Sequence, residues 1–179
     1  MAIGQPIYLD YNATTPVLPE VVDAMLPYLR EHFGNPSSDH VYGHRAREAV
    51  ARARDQVAAL LGCDADELVF TGGGTEANNL AIRGVAEARG ERRHVVTSVI
   101  EHPATAAPCD WLERHGWTVT RIAVDADGRT RVADARAAIG DGTALVSVMH
   151  SNNETGVLQP VEETAAVART CGALVHTDA

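Results

Sequence analysis

The residues of this sequence that could carry chemistry follow directly after apolar runs. In residues 70–79 (FTGGGTEANN) a glycine-rich turn leads into a helical pattern that Thr75 can cap. The free amides at a helix N-terminus attract an anion such as a phosphate. This spacing is not a P-loop, which needs a lysine, nor the GxGxxG of a dinucleotide site. A tight turn that binds nothing is the alternative interpretation.

Two further polar groups follow the next apolar runs. His102 stands at the start of a helical pattern, where it can act as a general acid or base or lie against a planar cofactor. The alternative is a helix-start histidine whose nitrogens bond to backbone groups. Residues 149–156 (MHSNNETG) form a polar loop that can offer amide donors, and a plain turn is the alternative there.

The last polar group is Asp178, which ends an apolar run that we interpret as a buried strand. A carboxylate with apolar neighbours needs a positive partner, because an unpaired buried charge is costly. His40 and His44 stand four residues apart and could be two metal ligands. No third ligand is evident, so the sequence predicts no metal site.

The elements that must position these groups alternate between helix and strand. Apolar runs predict strands at 68–70, 95–99, 119–124, 145–149 and 174–175, and helical spacing predicts helices near 19–34, 39–62, 75–89, 102–115, 132–139 and 160–171. This order is typical of an α/β fold with a mostly parallel sheet flanked by helices, which binds ligands at the carboxyl ends of its strands. One ligand could therefore touch all four polar groups. Residues 1–16 are predicted to be an extended segment and residues 17–179 the α/β domain.

The amino-acid composition excludes some classes of function. All 15 basic residues are arginine, against 24 acidic residues, and the net charge is −9. The absence of lysine excludes any chemistry that needs an amine side chain from this chain. The acidic balance and the scattered arginines argue against a nucleic-acid partner. Three separated cysteines without a CxxC pair indicate a reducing compartment, and no targeting or membrane-spanning run is present, so the predicted location is the cytoplasm.

Six segments, in order along the chain, resemble the cysteine desulfurases of the NifS/IscS type. These enzymes belong to the class V aminotransferase group of fold-type-I enzymes that use pyridoxal 5'-phosphate (PLP). The segments are residues 8–16 (YLDYNATTP), 32–38 (HFGNPSS), 73–79 (GGTEANN), 101–102 (EH), 148–156 (VMHSNNETG) and 176–179 (HTDA).

The resemblance implies a role for each matching position. Gly74 and Thr75 would hold the PLP phosphate, and His102 would stack on the pyridine ring and assist proton transfers. Asn153 would hydrogen-bond the phenolic oxygen of the ring, and Asp178 would pair with the pyridinium nitrogen. The chain resembles the N-terminal part of the fold-type-I large domain, which would be incomplete here.

The implied reaction converts L-cysteine to L-alanine and leaves the sulfur as a persulfide on an enzyme cysteine, for transfer to an acceptor protein as in iron–sulfur cluster assembly. The family's Schiff-base lysine and persulfide cysteine follow the Asp178 motif. We therefore expect a complementary C-terminal segment or a second chain to supply them. Cys63, Cys109 and Cys171 match no catalytic cysteine of the family.

The resemblance also implies an activity and an oligomeric state for the completed enzyme, and two other functions remain as alternatives. The chain alone is expected to be inactive, and the completed enzyme is expected to be a homodimer. A different class V enzyme, such as a selenocysteine lyase or an aminotransferase-like enzyme, is the first alternative. A non-catalytic half-protein with a binding or regulatory role is the second.

Overall fold

The computed structural model describes residues 6–179, which form two compact units that divide between Phe70 and Thr71. Residues 6–16 of the predicted extended segment 1–16 contain one turn and neither helix nor strand. The first five residues of that segment lie outside the described residues.

The first unit contains two of the predicted helices, α1 (Pro19–Arg30) and α2 (Val41–Leu61), and a short 3-10 turn (Ala65–Glu67). Helix α2 begins after His40, whose Nδ1 accepts a hydrogen bond from the backbone N–H of Gly43 at 3.2 Å. It ends before Gly62, where a φ of 71° stops the helix as the sequence predicts.

The prediction of a strand at residues 68–70 is wrong. These residues carry no strand pairing, and the side chains of Val69 and Phe70 are 68% and 48% exposed. An apolar run becomes a strand only where another strand accepts its backbone hydrogen bonds. The described residues offer no such partner to this run.

The second unit is an α/β layer structure, as predicted. A four-stranded sheet in the order β2-β1-β3-β4 pairs every neighbour in parallel. The elements in chain order are α3 (Gly74–Ala88), β1 (His94–Ser98), α4 (Pro103–Arg114), β2 (Thr118–Ile122), α5 (Val132–Ala138), β3 (Thr143–Ser147), α6 (Val161–Thr170) and β4 (Leu174–His176). Among the described helices, none is both long and apolar enough to cross a membrane.

The sheet buries both of its faces, because successive side chains of a strand point to opposite sides. Val95 and Leu145 pack with Ile82 of α3 and Leu112 of α4 in one cluster. Their neighbours along the strands pack in a second cluster with residues of α5 and α6, namely Val96 and Val146 with Ala135 and Ala168. Helices on both faces are the usual cover of a parallel sheet.

Strand β4 is less buried than the sequence predicts. Leu174 and Val175 are 39% and 38% exposed, although β4 pairs in register with β3. The reason is its place at the edge of the sheet, where no described strand covers its second side. A run of apolar residues does not distinguish an edge strand from a central one.

Two glycines around α3 provide a matched test of backbone conformation. Gly84 lies inside α3 and Gly73 immediately before it, and a Cβ added at either position would meet no atom within 4 Å. Gly73 has a φ of 154°, which L side chains rarely adopt. We expect Gly84→Ala to raise the free energy of unfolding by about 0.5–1 kcal/mol, and Gly73→Ala to lower it by about 1–3 kcal/mol. Urea unfolding of both variants measures this. Equal stabilisation by both alanines would show that the conformation of Gly73 carries no constraint.

Candidate functional site

A cavity of about 370 Å³ lies in the second unit, where β1, β3 and β4 end. All five residues that the sequence analysis selects line this one cavity: Gly74, Thr75, His102, Asn153 and Asp178. They come from four separate segments of the chain. The parallel order of the strands brings these segments together, because each segment follows the carboxyl end of its strand or begins the helix beside it.

The N-terminus of α3 forms one wall of the cavity. The cap position is Gly73 and no side chain caps the helix, so the prediction that Thr75 caps it is wrong. Thr75 is the second residue of the helix, and Gly73 occupies the cap because only glycine readily adopts its φ of 154°. The backbone amides of the first turn have no intrahelical partner, and the helix dipole makes this end attractive to an anion.

The side chain of His102 belongs to two features of the structure, the start of α4 and the cavity. Its Nδ1 accepts a hydrogen bond from the backbone N–H of Ala104 at 3.1 Å and thereby caps α4. The helix-start interpretation is therefore correct, and the same exposed imidazole also lines the cavity. Because Nδ1 accepts, the neutral ring carries its hydrogen on Nε2.

The loop after β3 is fixed by Asn152, for which the sequence predicts no role. The buried Asn152 accepts hydrogen bonds at Oδ1 from the backbone N–H groups of Glu154 and Thr155 at 3.1 and 3.0 Å. Its Nδ2 donates to the carbonyl of Ile100 at 3.2 Å. Asn153 remains exposed beside the cavity, with one N–H of its amide donating to Glu154 Oε1 at 3.0 Å.

Asp178 is held by an amide and not by a cation. Its Oδ2 accepts a hydrogen bond from Asn78 Nδ2 at 2.9 Å, and none of the described arginine or histidine side chains forms an ion pair with it. The backbone N–H of His150 also donates to the carbonyl of Asp178 at 2.8 Å. The sequence analysis missed Asn78, although it stands three residues after Thr75 and therefore on the same side of α3.

Glu101 is a second residue that the sequence analysis missed. Its Oε1 accepts hydrogen bonds from Ser98 Oγ at 2.5 Å and from the backbone N–H of Met149 at 3.0 Å. Oε2 is buried and has no hydrogen-bond partner among the described residues. Burial raises the pKa of this carboxyl, and the negative charge of Asp178 acts in the same direction. Glu101 thus joins the segment after β1 to the segment after β3.

The remaining candidate groups have local structural roles. Among residues 6–179, no group of three or more His, Cys, Asp and Glu side chains is placed to hold a metal ion. His40 caps α2, and His44 Nε2 lies 2.9 Å from Asp39 Oδ1. Cys109 is fully buried, and burial raises the pKa of its thiol to about 11, which disfavours the nucleophilic thiolate.

Comparison with known proteins places most of this chain in one family model. The model described as aminotransferase class-V matches residues 7–179. A protein of Trichormus azollae named cysteine desulfurase is 49% identical over 173 residues, which are 97% of this chain and 43% of that relative.

Solved structures give the same relationship. A structure described as a NifS-like protein superposes with a TM-score of 0.94 and 35% identity, over 98% of this chain and 49% of that chain. Another, described as SspA in complex with cysteine, has a TM-score of 0.92 and 40% identity, over 96% of this chain and 50% of that chain. The chain therefore spans half or less of the length of these relatives.

The buried carboxyl of Glu101 gives a pH-dependent prediction. Glu101→Gln retains an oxygen acceptor for Ser98 and Met149 but removes the titrating group. A glutamate whose folded-state pKa is raised loses its contribution to stability as the pH rises from its ordinary value of 4.5 through the folded-state pKa. We therefore expect the variant to gain stability relative to the wild type between about pH 5 and about pH 8. Urea unfolding at both pH values measures this, with the exposed Glu91→Gln as control. A difference from the wild type that is the same at both pH values would contradict the assignment.

Proposed function

The chain belongs to the aminotransferase class V family, and from this premise we propose that it is the PLP-binding N-terminal part of a cysteine desulfurase. The observation that carries the proposal is the single cavity lined by Gly74, Thr75, His102, Asn153 and Asp178. The name of the Trichormus azollae relative and the cysteine bound in the SspA structure support the choice of L-cysteine as substrate. The products would be L-alanine and a persulfide on an enzyme cysteine.

The chemistry of the cavity fits PLP at both ends. The amides of the first turn of α3 are donors for a phosphate, and Gly73 and Gly74 leave no side chain between that phosphate and the backbone. At the other end, Asp178 uses one carboxylate oxygen to accept from Asn78, so the other oxygen is available to a protonated ring nitrogen. When bound, PLP supplies an electron sink for the negative charge that develops at the substrate α-carbon.

The side chains of this chain would orient the cofactor and move protons. A carboxylate at Asp178 favours a proton on the ring nitrogen that it contacts, which increases the electron demand of the ring. His102 would lie against the ring, and its Nε2 is the atom available for proton transfer because Nδ1 caps α4. Asn153 has a second amide N–H, besides the one that Glu154 accepts, to donate to the phenolic oxygen.

The proposal assigns the covalent steps to sequence outside residues 1–179. This sequence has no lysine, and its three cysteines are free, with Cys109 buried. The Schiff-base lysine and the persulfide cysteine would come from a complementary C-terminal segment or a second chain. We further propose a homodimer in the cytoplasm that delivers sulfur to an acceptor protein, as the resemblance implies.

The activity is tested by incubating the completed protein, in which the lysine- and cysteine-bearing sequence accompanies residues 1–179, with PLP and L-cysteine and measuring alanine and protein-bound sulfur. We expect both products in equal amounts. Asp178→Asn should reduce the rate on the order of 10²–10³-fold, which is the usual cost of removing a charge-stabilising contact. Asp127→Asn, which changes an exposed carboxylate in a turn away from the cavity, should leave the rate unchanged. A protein that binds PLP but forms no alanine would favour another class V reaction.

The location of the lysine is tested separately by borohydride reduction. We expect reduction of the PLP-loaded protein to fix the cofactor on a lysine peptide from outside residues 1–179, because these residues contain no lysine. Peptide mapping by mass spectrometry identifies the labelled residue. A PLP-loaded protein in which borohydride reduction labels no lysine would contradict the proposed division of labour.

A further inference from the structure

A chain of partly buried hydrogen bonds lies behind the Asp178 carboxylate. Asn78 Nδ2 donates to Asp178 Oδ2 at 2.9 Å, and Asn78 Oδ1 lies 3.1 Å from His176 Nε2. His176 Nδ1 in turn lies 2.8 Å from Ser147 Oγ. Asn78 and Ser147 are 4% and 0% exposed. The bonds thus connect α3, β3 and β4 to one oxygen of the carboxylate.

The direction of each bond follows from the groups themselves. The opposite orientation of the Asn78 amide would place its oxygen against the oxygen of a carboxylate, which is repulsive, so Nδ2 faces Asp178 and Oδ1 faces His176. Because an amide oxygen only accepts, His176 Nε2 must carry a hydrogen. Burial lowers the pKa of His176, against the opposing effect of the Asp178 charge. The neutral ring then has a bare Nδ1, which accepts from the Ser147 hydroxyl.

We propose that Asn78 and His176 are positioning residues that act through Asp178. In each hydrogen bond the donor is the residue farther from the carboxylate. Ser147 donates to His176, His176 donates to Asn78, and Asn78 donates to Asp178. Such an arrangement fixes the rotamer of Asp178, so that its second oxygen remains directed to the cavity. The inference rests on the proposed function, because the group that this oxygen would hold is the PLP ring nitrogen.

Asp178 depends on a neutral donor. The charge of Asp178 contributes to the raised pKa of Glu101, so this neighbouring carboxyl offers Asp178 no positive charge. Among the described residues no cation pairs with Asp178, and the amide of Asn78 is the side-chain group that donates to it. An amide can do so only while His176 holds its oxygen and prevents it from turning over.

The hydrogen-bond direction is tested without cofactor. In protein labelled with ¹⁵N-histidine, long-range ¹H–¹⁵N correlation distinguishes the two tautomers of each ring. We expect His176 at neutral pH to be uncharged with its hydrogen on Nε2. We expect Asn78→Ala to abolish this preference, because the acceptor is gone. A wild-type His176 with its hydrogen on Nδ1, or a charged ring, would overturn the assigned direction.

The positioning role is tested by PLP titration of the full protein, followed by tryptophan fluorescence and by the circular dichroism of the bound cofactor. We expect Asn78→Ala and His176→Ala to weaken PLP binding roughly 10–100-fold, the range for hydrogen bonds to charged groups. They should also change the cofactor's dichroic band. His176→Gln, whose amide N–H can still reach Asn78, should restore binding to within roughly threefold of the wild type.

The matched control is Gln159→Ala. Gln159 is also a buried amide of the second unit, but its side chain bonds to Thr130 and Gly128 and does not line the cavity. Gln159→Ala should lower the stability of the protein without changing its affinity for PLP. If it weakens PLP binding as much as Asn78→Ala does, the role of Asn78 is only structural and the inference fails. If the wild type binds PLP and Asn78→Ala binds it unchanged, the inference fails while the proposed function stands. A wild type that binds no PLP would overturn the proposed function and this role together.

Discussion

The parallel pairing of β3 with β1 and β4 is the constraint on which the site depends. Parallel strands end at the same edge of a sheet, so the residues that follow them must meet there. The pairing of β3 with β4 continues beyond the strands, because Val148 and His150 donate to the carbonyls of His176 and Asp178 at 3.2 and 2.8 Å. The position of Asp178 beside the cavity is therefore fixed by backbone hydrogen bonds before any side chain contributes.

Polar side chains add hydrogen bonds between the segments that follow the strands. Asn152 and Glu101 join the segments after β1 and β3, and Asn78 joins α3 to the end of β4. A buried polar group without a partner destabilises the fold, so each of these groups has few alternative positions. The unpartnered Oε2 of Glu101 departs from this pattern.

The sequence predicts the helices and the four strands of the second unit, because their apolar spacing is set within a few residues. It does not predict that 68–70 lacks a strand or that β4 is an edge, since both depend on which strands lie alongside. The five cavity residues are predictable from their place after strands and from the resemblance. The contacts of Asn78 with Asp178 and of Glu101 with Met149 are not, because these partners stand 100 and 48 residues away in the chain. Thr75 does not cap α3, because the cap position has a backbone conformation that only glycine readily adopts.

His102 both caps α4 and lines the cavity, and this combination has an evolutionary consequence. One nitrogen of its ring caps α4 and the ring also lines the cavity, so under the proposed function selection for folding and selection for chemistry would act on the same side chain. A descendant that lost the reaction would still need a capping residue at this position. Asparagine, serine and aspartate cap well but have no ring to lie against a cofactor. Their occurrence at this position in a relative would mark a lineage that kept the scaffold without the proposed use of the ring.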